Sequence, residues 1–163
     1  MSSTATTNAR RLAFGPEDRL MNMSRVKFQW AVDIHEEMVA NFWTEKKVPM
    51  GGDKQCYLTQ LRPEERRAYD LALAFVSNLD GYQFNNLVQN IGQHVTAPEV
   101  SGALARQAAE EYMHVRVYQT MIEAVSLNPE EIYLAFERDG LLAQKNAYIC
   151  LLYTSDAADE GLG

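Results

Sequence analysis

Residues 96–125 read TAPEVSGALARQAAEEYMHVRVYQTMIEAV, and this stretch decides the fold class. Thr96-Ala97-Pro98-Glu99 has the spacing of a capping box, with Pro98 in the first turn, where its missing N–H removes no helical hydrogen bond. From there Leu104, Ala108, Glu111, Met113, His114, Tyr118 and Ile122 carry a helical pattern to about Val125. Glu111 and His114 lie three apart on this helix and therefore project from one face. Their stripe, with Leu104, Ala108, Tyr118 and Ile122, otherwise reads as buried.

Working outward, Pro63-Glu64-Glu65 opens a second helix, with proline in the first turn and acids at the positive end of the dipole. Leu71, Ala72, Phe75, Val76, Leu79, Phe84, Leu87 and Ile91 carry its stripe to about Asn90. Such a length is usual in bundles. A first helix is expected from Ser24, a cap, through Val26, Trp30, Ile34, Met38, Val39, Phe42 and Trp43. It should stop near 43–46, ahead of the breaker Val48-Pro49-Met50-Gly51-Gly52. Asn128-Pro129-Glu130-Glu131 repeats the start signal for a fourth helix through Ile132, Leu134 and Phe136. Gly140 breaks or kinks it, and helix resumes at Leu141. No stretch alternates convincingly as a strand. The class is all-α, an up-and-down bundle over residues 24–149, preceded by a Ser/Thr-rich and then basic mobile arm over 1–23.

With 163 residues, 47% of them hydrophobic, the chain can bury a core. Fifteen Lys and Arg against 22 Asp and Glu give a net charge of −7. That balance argues against a nucleic-acid partner, which needs clustered positive charge. No apolar run reaches the roughly 18–20 residues of a membrane span, and the N-terminus lacks the apolar core of a secretory signal. Cys56 and Cys150 make neither a disulfide framework nor a zinc-finger pattern, so a reduced, cytoplasmic setting is expected. The segment 150–163, CLLYTSDAADEGLG, resembles a translated transposase-type sequencing adapter and reads as a non-native tail. On that reading the authentic sequence stops near Ile149 and Cys150 carries no meaning.

The chemistry sits in three polar features. Carboxylate oxygen and neutral imidazole nitrogen, as in Glu111-x-x-His114, together suit iron or manganese. Ferritin-like di-metal carboxylate proteins use such an i, i+3 pair at their metals. Glu110 is also within helical reach of His114; Glu111 is preferred because its stripe reads as buried. Asp80 interrupts an apolar stripe in Ser77-Asn78-Leu79-Asp80-Gly81. A buried lone carboxylate is costly and is neutralised, paired or metal-bound; the plainer reading puts Asp80 on an exposed face with Gly81 at a bend. Tyr118 follows His114 by four residues on the same face. It either packs with its hydroxyl hydrogen-bonded or, beside an oxygen-activating metal pair, is oxidised to a radical. His35 and His94 lack ligand spacing and read as surface or capping residues.

Four runs together resemble one family: Asn41-Phe42-Trp43-Thr44, Leu61-Arg62-Pro63-Glu64-Glu65-Arg66, Asp80-Gly81 before Asn86-Leu87-Val88, and Glu111-x-x-His114-x-x-x-Tyr118. Over about residues 25–149 the chain resembles the N-terminal half of the class I ribonucleotide reductase small subunit, a ferritin-like, radical-generating protein. The resemblance implies that Asp80, Glu111 and His114 are metal ligands, that Tyr118 holds the radical, and that Trp43 delivers electrons. Core packing at a helix end is the simpler role for Trp43. It also implies a dinuclear centre of iron, manganese or one of each, oxygen as oxidant, a homodimer, and a large catalytic subunit that reduces ribonucleotides to deoxyribonucleotides. Pro49 departs from an acidic residue in many relatives. The family's remaining two carboxylates, its second histidine and its docking tail come later than this chain reaches. The chain is therefore expected to be a fragment holding half the site, inactive alone and exposing apolar helix faces. Rival readings are another ferritin-like oxidase or oxygenase, and a metal-free helical interaction module.

Overall fold

Proline at the first turn and long apolar stripes give long helices here, as the sequence predicts. The computed structural model describes residues 10–16 and 21–154. Among them are six α-helices: α1 Gln29–Ala40, α2 Asp53–Thr59, α3 Pro63–Asn85, α4 Pro98–Val125, α5 Pro129–Arg138 and α6 Gly140–Thr154. A π-helical turn, Asn86–Ile91, extends α3, and short 3-10 turns occupy Glu45–Lys47 and Gly92–His94. The described residues contain no strand, only the single bridge Ala13–Val95. None of their helices is long and apolar enough to cross a membrane.

The described residues gather into two compact units, and α3 and α4 contribute to both. One unit contains the described residues up to Trp43 together with Gln83–Tyr112. Its core is small: Ala31, Ala97, Val100 and Ala103 are buried, flanked by Phe28, Met38, Val95 and Leu104. Alanines at these contacts let α1 and the start of α4 approach closely. The other unit contains Thr44–Tyr82 and the described residues from Met113 onward. There Ile122 is wholly buried with Leu73, Ala74, Ile132 and Leu142, and Tyr69, Phe75, Tyr118 and Tyr133 pack around them. Truncating such a buried isoleucine to alanine costs about 2–5 kcal/mol.

Three expectations need correction. The first helix begins at Gln29 and ends at Ala40, not at Ser24 and Trp43. Its early turn is lost because Ser24 N–H and its hydroxyl both donate to Asn22 Oδ1, while Lys27 and Phe28 N–H donate to Glu99. The seven-residue α2 was not anticipated; it follows the Gly51-Gly52 breaker and buries no side chain fully.

The Thr96–Glu99 capping box does not form as expected. The Thr96 hydroxyl donates to Arg11 O and accepts from Gly15 N–H, and the Glu99 carboxylate takes Lys27 and Phe28 N–H at 2.9 and 3.0 Å. Both side chains of the motif thus hold a distant segment. Residues 10–16 of the segment expected to be a mobile arm make contacts with this region. Arg10 is buried, donates to Glu99 Oε2 at 3.3 Å and to Arg25 O at 2.7 Å, and Phe14 N–H donates to His94 O. A Cβ at Gly15 would lie 2.9 Å from Thr96 Oγ1, so this close approach requires glycine. The rest of the expected arm, residues 1–9 and 17–20, lies outside the described residues.

The break at Gly140 is present. Asp139 separates α5 from α6, and its Oδ1 accepts Leu141 and Leu142 N–H at 3.1 and 3.3 Å. Helix α6 continues past Ile149 to Thr154, and residues 155–163 of the expected tail lie outside the described residues. Leu141, Tyr148, Leu151 and Leu152 on α6 are all more than half exposed.

Candidate metal centre

The middle of α4 presents three distinct faces. Met113 and Val117 are buried, Tyr112 and Arg116 are exposed, and Glu111, His114 and Tyr118 share a half-buried third face. Asp80, late in α3, meets that third face. Its Oδ2 lies 3.6 Å from His114 Nδ1. One ligand atom each from Asp80, Glu111 and His114 lie within 4.8 Å of one another. The three side chains singled out by type and spacing therefore converge, and Asp80 does not sit on the remote exposed face allowed for it.

Ligands about 2.1 Å from a common cation are at most about 4.2 Å apart. Donor atoms within 4.8 Å come to that spacing by small side-chain rotations, so the residues fit a metal ion. Two carboxylates and one imidazole suit iron or manganese better than a thiolate-seeking cation. The group is not sealed: the Asp80 side chain is 19% exposed and that of His114 37%. Among the described residues, α3 and α4 cover the group incompletely.

Glu110 is excluded from the cluster by its own partner. Its Oε1 accepts from Arg106 Nη2 at 2.7 Å, one turn back on α4. The i, i+4 spacing of Arg106 and Glu110 was a legible signal for that pair. Tyr118 packs, half-buried, on the core around Leu73, Ala74 and Ile122. Trp43 lies just past α1, half-buried, and lines a cavity of about 280 Å³ with Ile34, Glu37, Met38, Asn41 and Glu110. Of the remaining histidines, His94 is exposed against the Phe14 ring, with centroids 4.7 Å apart, and His35 is on α1.

A cavity of about 610 Å³ lies elsewhere. It runs between Tyr57, Arg66, Asp70, Leu127 and Ile132. Here the Tyr57 hydroxyl donates to both Asp70 oxygens at 2.8 Å. Burial, followed by this bond and the Asp70 charge, pushes the Tyr57 phenol up to about 12. Burial also raises the Asp70 carboxyl, outweighing Tyr57 and Arg66. Sequence reading missed this pair, because no local spacing joins α2 to α3.

The all-helical fold is of the ferritin-like class, and α3 and α4 bring together two carboxylates and an imidazole that could hold a metal ion. Within that class the family is specific: a family model described as "Ribonucleotide reductase, small chain" matches residues 20–161, and the chain belongs to that family. It is 33% identical over 147 residues to the ribonucleoside-diphosphate reductase subunit beta of Aquifex aeolicus, covering 88% of this chain and 21% of the relative. To the Treponema pallidum subunit beta it is 32% identical, covering 94% of this chain and 44% of the relative. The ribonucleotide reductase R2 subunit from Clostridium botulinum superposes with a TM-score of 0.82 at 29% identity, over 88% of this chain and 45% of that one. The fold alone is shared with the dimanganese(II) NrdF of Streptococcus sanguinis, with a TM-score of 0.73 at 16% identity. The chain thus spans less than half the length of these relatives.

Proposed function

We propose that this chain is part of the radical-generating small subunit of a ribonucleoside-diphosphate reductase, and that Asp80, Glu111 and His114 hold one metal of a dinuclear centre. The observation that carries the reading is the convergence of those three donors. It speaks against a metal-free interaction module, for which these side chains should diverge. The family match favours the reductase over another ferritin-like oxidase.

Iron, manganese or one of each, bound as a pair, supplies with oxygen the one-electron oxidising power that no protein side chain has. The chain's own residues do the rest. Asp80 and Glu111 would hold the cation and offset its charge, and His114 would contribute an imidazole nitrogen. Tyr118 stands one turn beyond His114 on the same face, and its apolar neighbours Leu73, Ile122 and Ile132 limit access to a radical held on its ring. The oxidising equivalent then passes to the large catalytic subunit. Trp43 is assigned electron delivery.

Three protein ligands serve only one ion of a pair. We infer that the remaining carboxylates and second histidine lie outside these 163 residues, so this piece alone binds metal weakly and is inactive. The working protein is a cytoplasmic homodimer on this reading. The test is metal analysis and electron paramagnetic resonance on the product of the full-length gene after oxygen exposure. A bound metal pair and a tyrosyl signal are expected; absence of both overturns the reading.

A further inference from the structure

We propose that Arg106 is a positioning residue for Trp43, clamping the C-terminal end of α1 to α4 so that the indole keeps one place beside the ligand-bearing helix. The proposal rests on the electron-delivery role assigned to Trp43.

The argument begins with the end of α1. The last carbonyls of any helix lack intrahelical donors and must find others. Glu37 O accepts both Asn41 N–H and Asn41 Nδ2, each at 3.0 Å, and Val39 O accepts Phe42 N–H at 3.2 Å. Met38 O, between them, accepts Arg106 Nη2 at 3.3 Å. A cation here is also favoured by the negative end of the α1 dipole.

The same guanidinium makes two further contacts. Its Cζ stands 4.7 Å over the Phe42 ring, and Nη2 donates to Glu110 Oε1 at 2.7 Å. Its side chain is 16% exposed, and Nε is buried with no hydrogen-bond partner. This is a fixed, largely desolvated fork rather than a surface ion pair, and a planar guanidinium can stack and donate at once where an ammonium cannot.

Trp43 follows Phe42 directly. It lines the 280 Å³ cavity beside Met38 and Glu110, the two residues to which Arg106 bonds. A side chain bordering open space is not held by close packing alone. The clamp on Met38 and Phe42 constrains the segment that carries the indole, and its anchor, Glu110, adjoins the proposed ligand Glu111.

The test uses this chain with Trp30→Phe, which leaves Trp43 as the sole tryptophan. Arg106→Gln should shift Trp43 emission to longer wavelength and increase its quenching by acrylamide, with Arg106→Lys restoring part of the change. Should Arg106→Gln lose helix content, Phe42→Leu removes only the stacking face and carries the same expectation. Emission and quenching that stay unchanged in the variants that fold overturn the proposal.

A second arm uses the full-length gene product. Arg106→Gln should slow tyrosyl radical formation at least about tenfold at unchanged metal content, within the loss of up to about a hundredfold that a misplacement of about 1 Å brings. If Trp43→Phe slows it and Arg106→Gln does not, positioning by Arg106 is overturned while the role of Trp43 stands. If Trp43→Phe has no effect either, the electron-delivery role fails, and the purpose assigned to the clamp falls with it.

Discussion

Nδ1 of His114 lies 3.6 Å from Oδ2 of Asp80, an approach between neighbouring helices that leaves both side chains partly open to water. A cation entering the group must replace this contact with bonds to both. Manganese(II) titration of the chain, followed by its paramagnetic resonance signal, should show saturable binding accompanied by proton release. Losing even the hydrogen-bonded neighbours of a metal ligand costs about 10–100-fold in affinity. Asp80→Asn and His114→Ala should each therefore weaken binding at least about tenfold.

The two adjacent glutamates should separate cleanly. Glu111→Gln removes a donor of the converging group and should weaken manganese binding to a similar degree. Glu110→Gln releases Arg106 and should leave manganese affinity within about threefold, because Glu110 is turned to the cation one turn back on its helix. Equal losses in the two variants would mean that the ligand is misassigned.

Tyr118→Phe keeps the ring against Leu73 and Ile122 and removes only the hydroxyl. In the full-length gene product, metal content should be retained while the tyrosyl signal and reductase activity disappear. A radical that persists in this variant would assign the signal to another side chain.

Glu99 should govern acid stability. Its burial raises the carboxyl, but hydrogen bonds from its own N–H and those of Phe28 and Lys27, with the Arg10 charge, outweigh this and leave it below the usual range. A depressed folded value means stability that is present above the unfolded value, near 4.3, and is lost as pH falls through the lower folded one. Glu99→Ala should cost about 3–5 kcal/mol, the scale for breaking a buried pair, and should flatten the acid limb of the denaturation curve.

At the alkaline end Tyr57 plays the converse part. Its raised phenol contributes stability in full below about 10, lost as pH rises through about 12. Tyr57→Phe should cost about 1.5–3 kcal/mol, typical of a hydrogen bond to a charged group. Absorbance titration should lose a late-ionising tyrosine in that variant; an unchanged titration would mean that Tyr57 is not among the raised phenols.

How much of this was legible in the sequence depends on the range of the interactions. Helix α4 was read with its bounds, Pro98 and Val125, because proline and an unbroken apolar stripe are local signals. That Asp80, Glu111 and His114 interrupt apolar stripes was legible, but their convergence across α3 and α4 was not, because no local spacing relates the two helices. The start of α1 was not, because Glu99, 71 and 72 residues away, takes the N–H groups of Phe28 and Lys27. The capping box misled for the same reason: Thr96 and Glu99 have the right chemistry and spend it on another segment. Helix α2 escaped notice because seven residues with no fully buried side chain leave too short a pattern.

The ion pair between Arg10 and Glu99 joins residues 89 positions apart. A ribosome adds about 5–20 residues per second, so the arginine waits about 4–18 s for its partner to be translated. Throughout that interval Arg10 lacks the carboxylate of Glu99 that it pairs with in the folded chain. Its exposure to chaperones and proteases during synthesis is thus fixed by the distance along the messenger to a single glutamate codon.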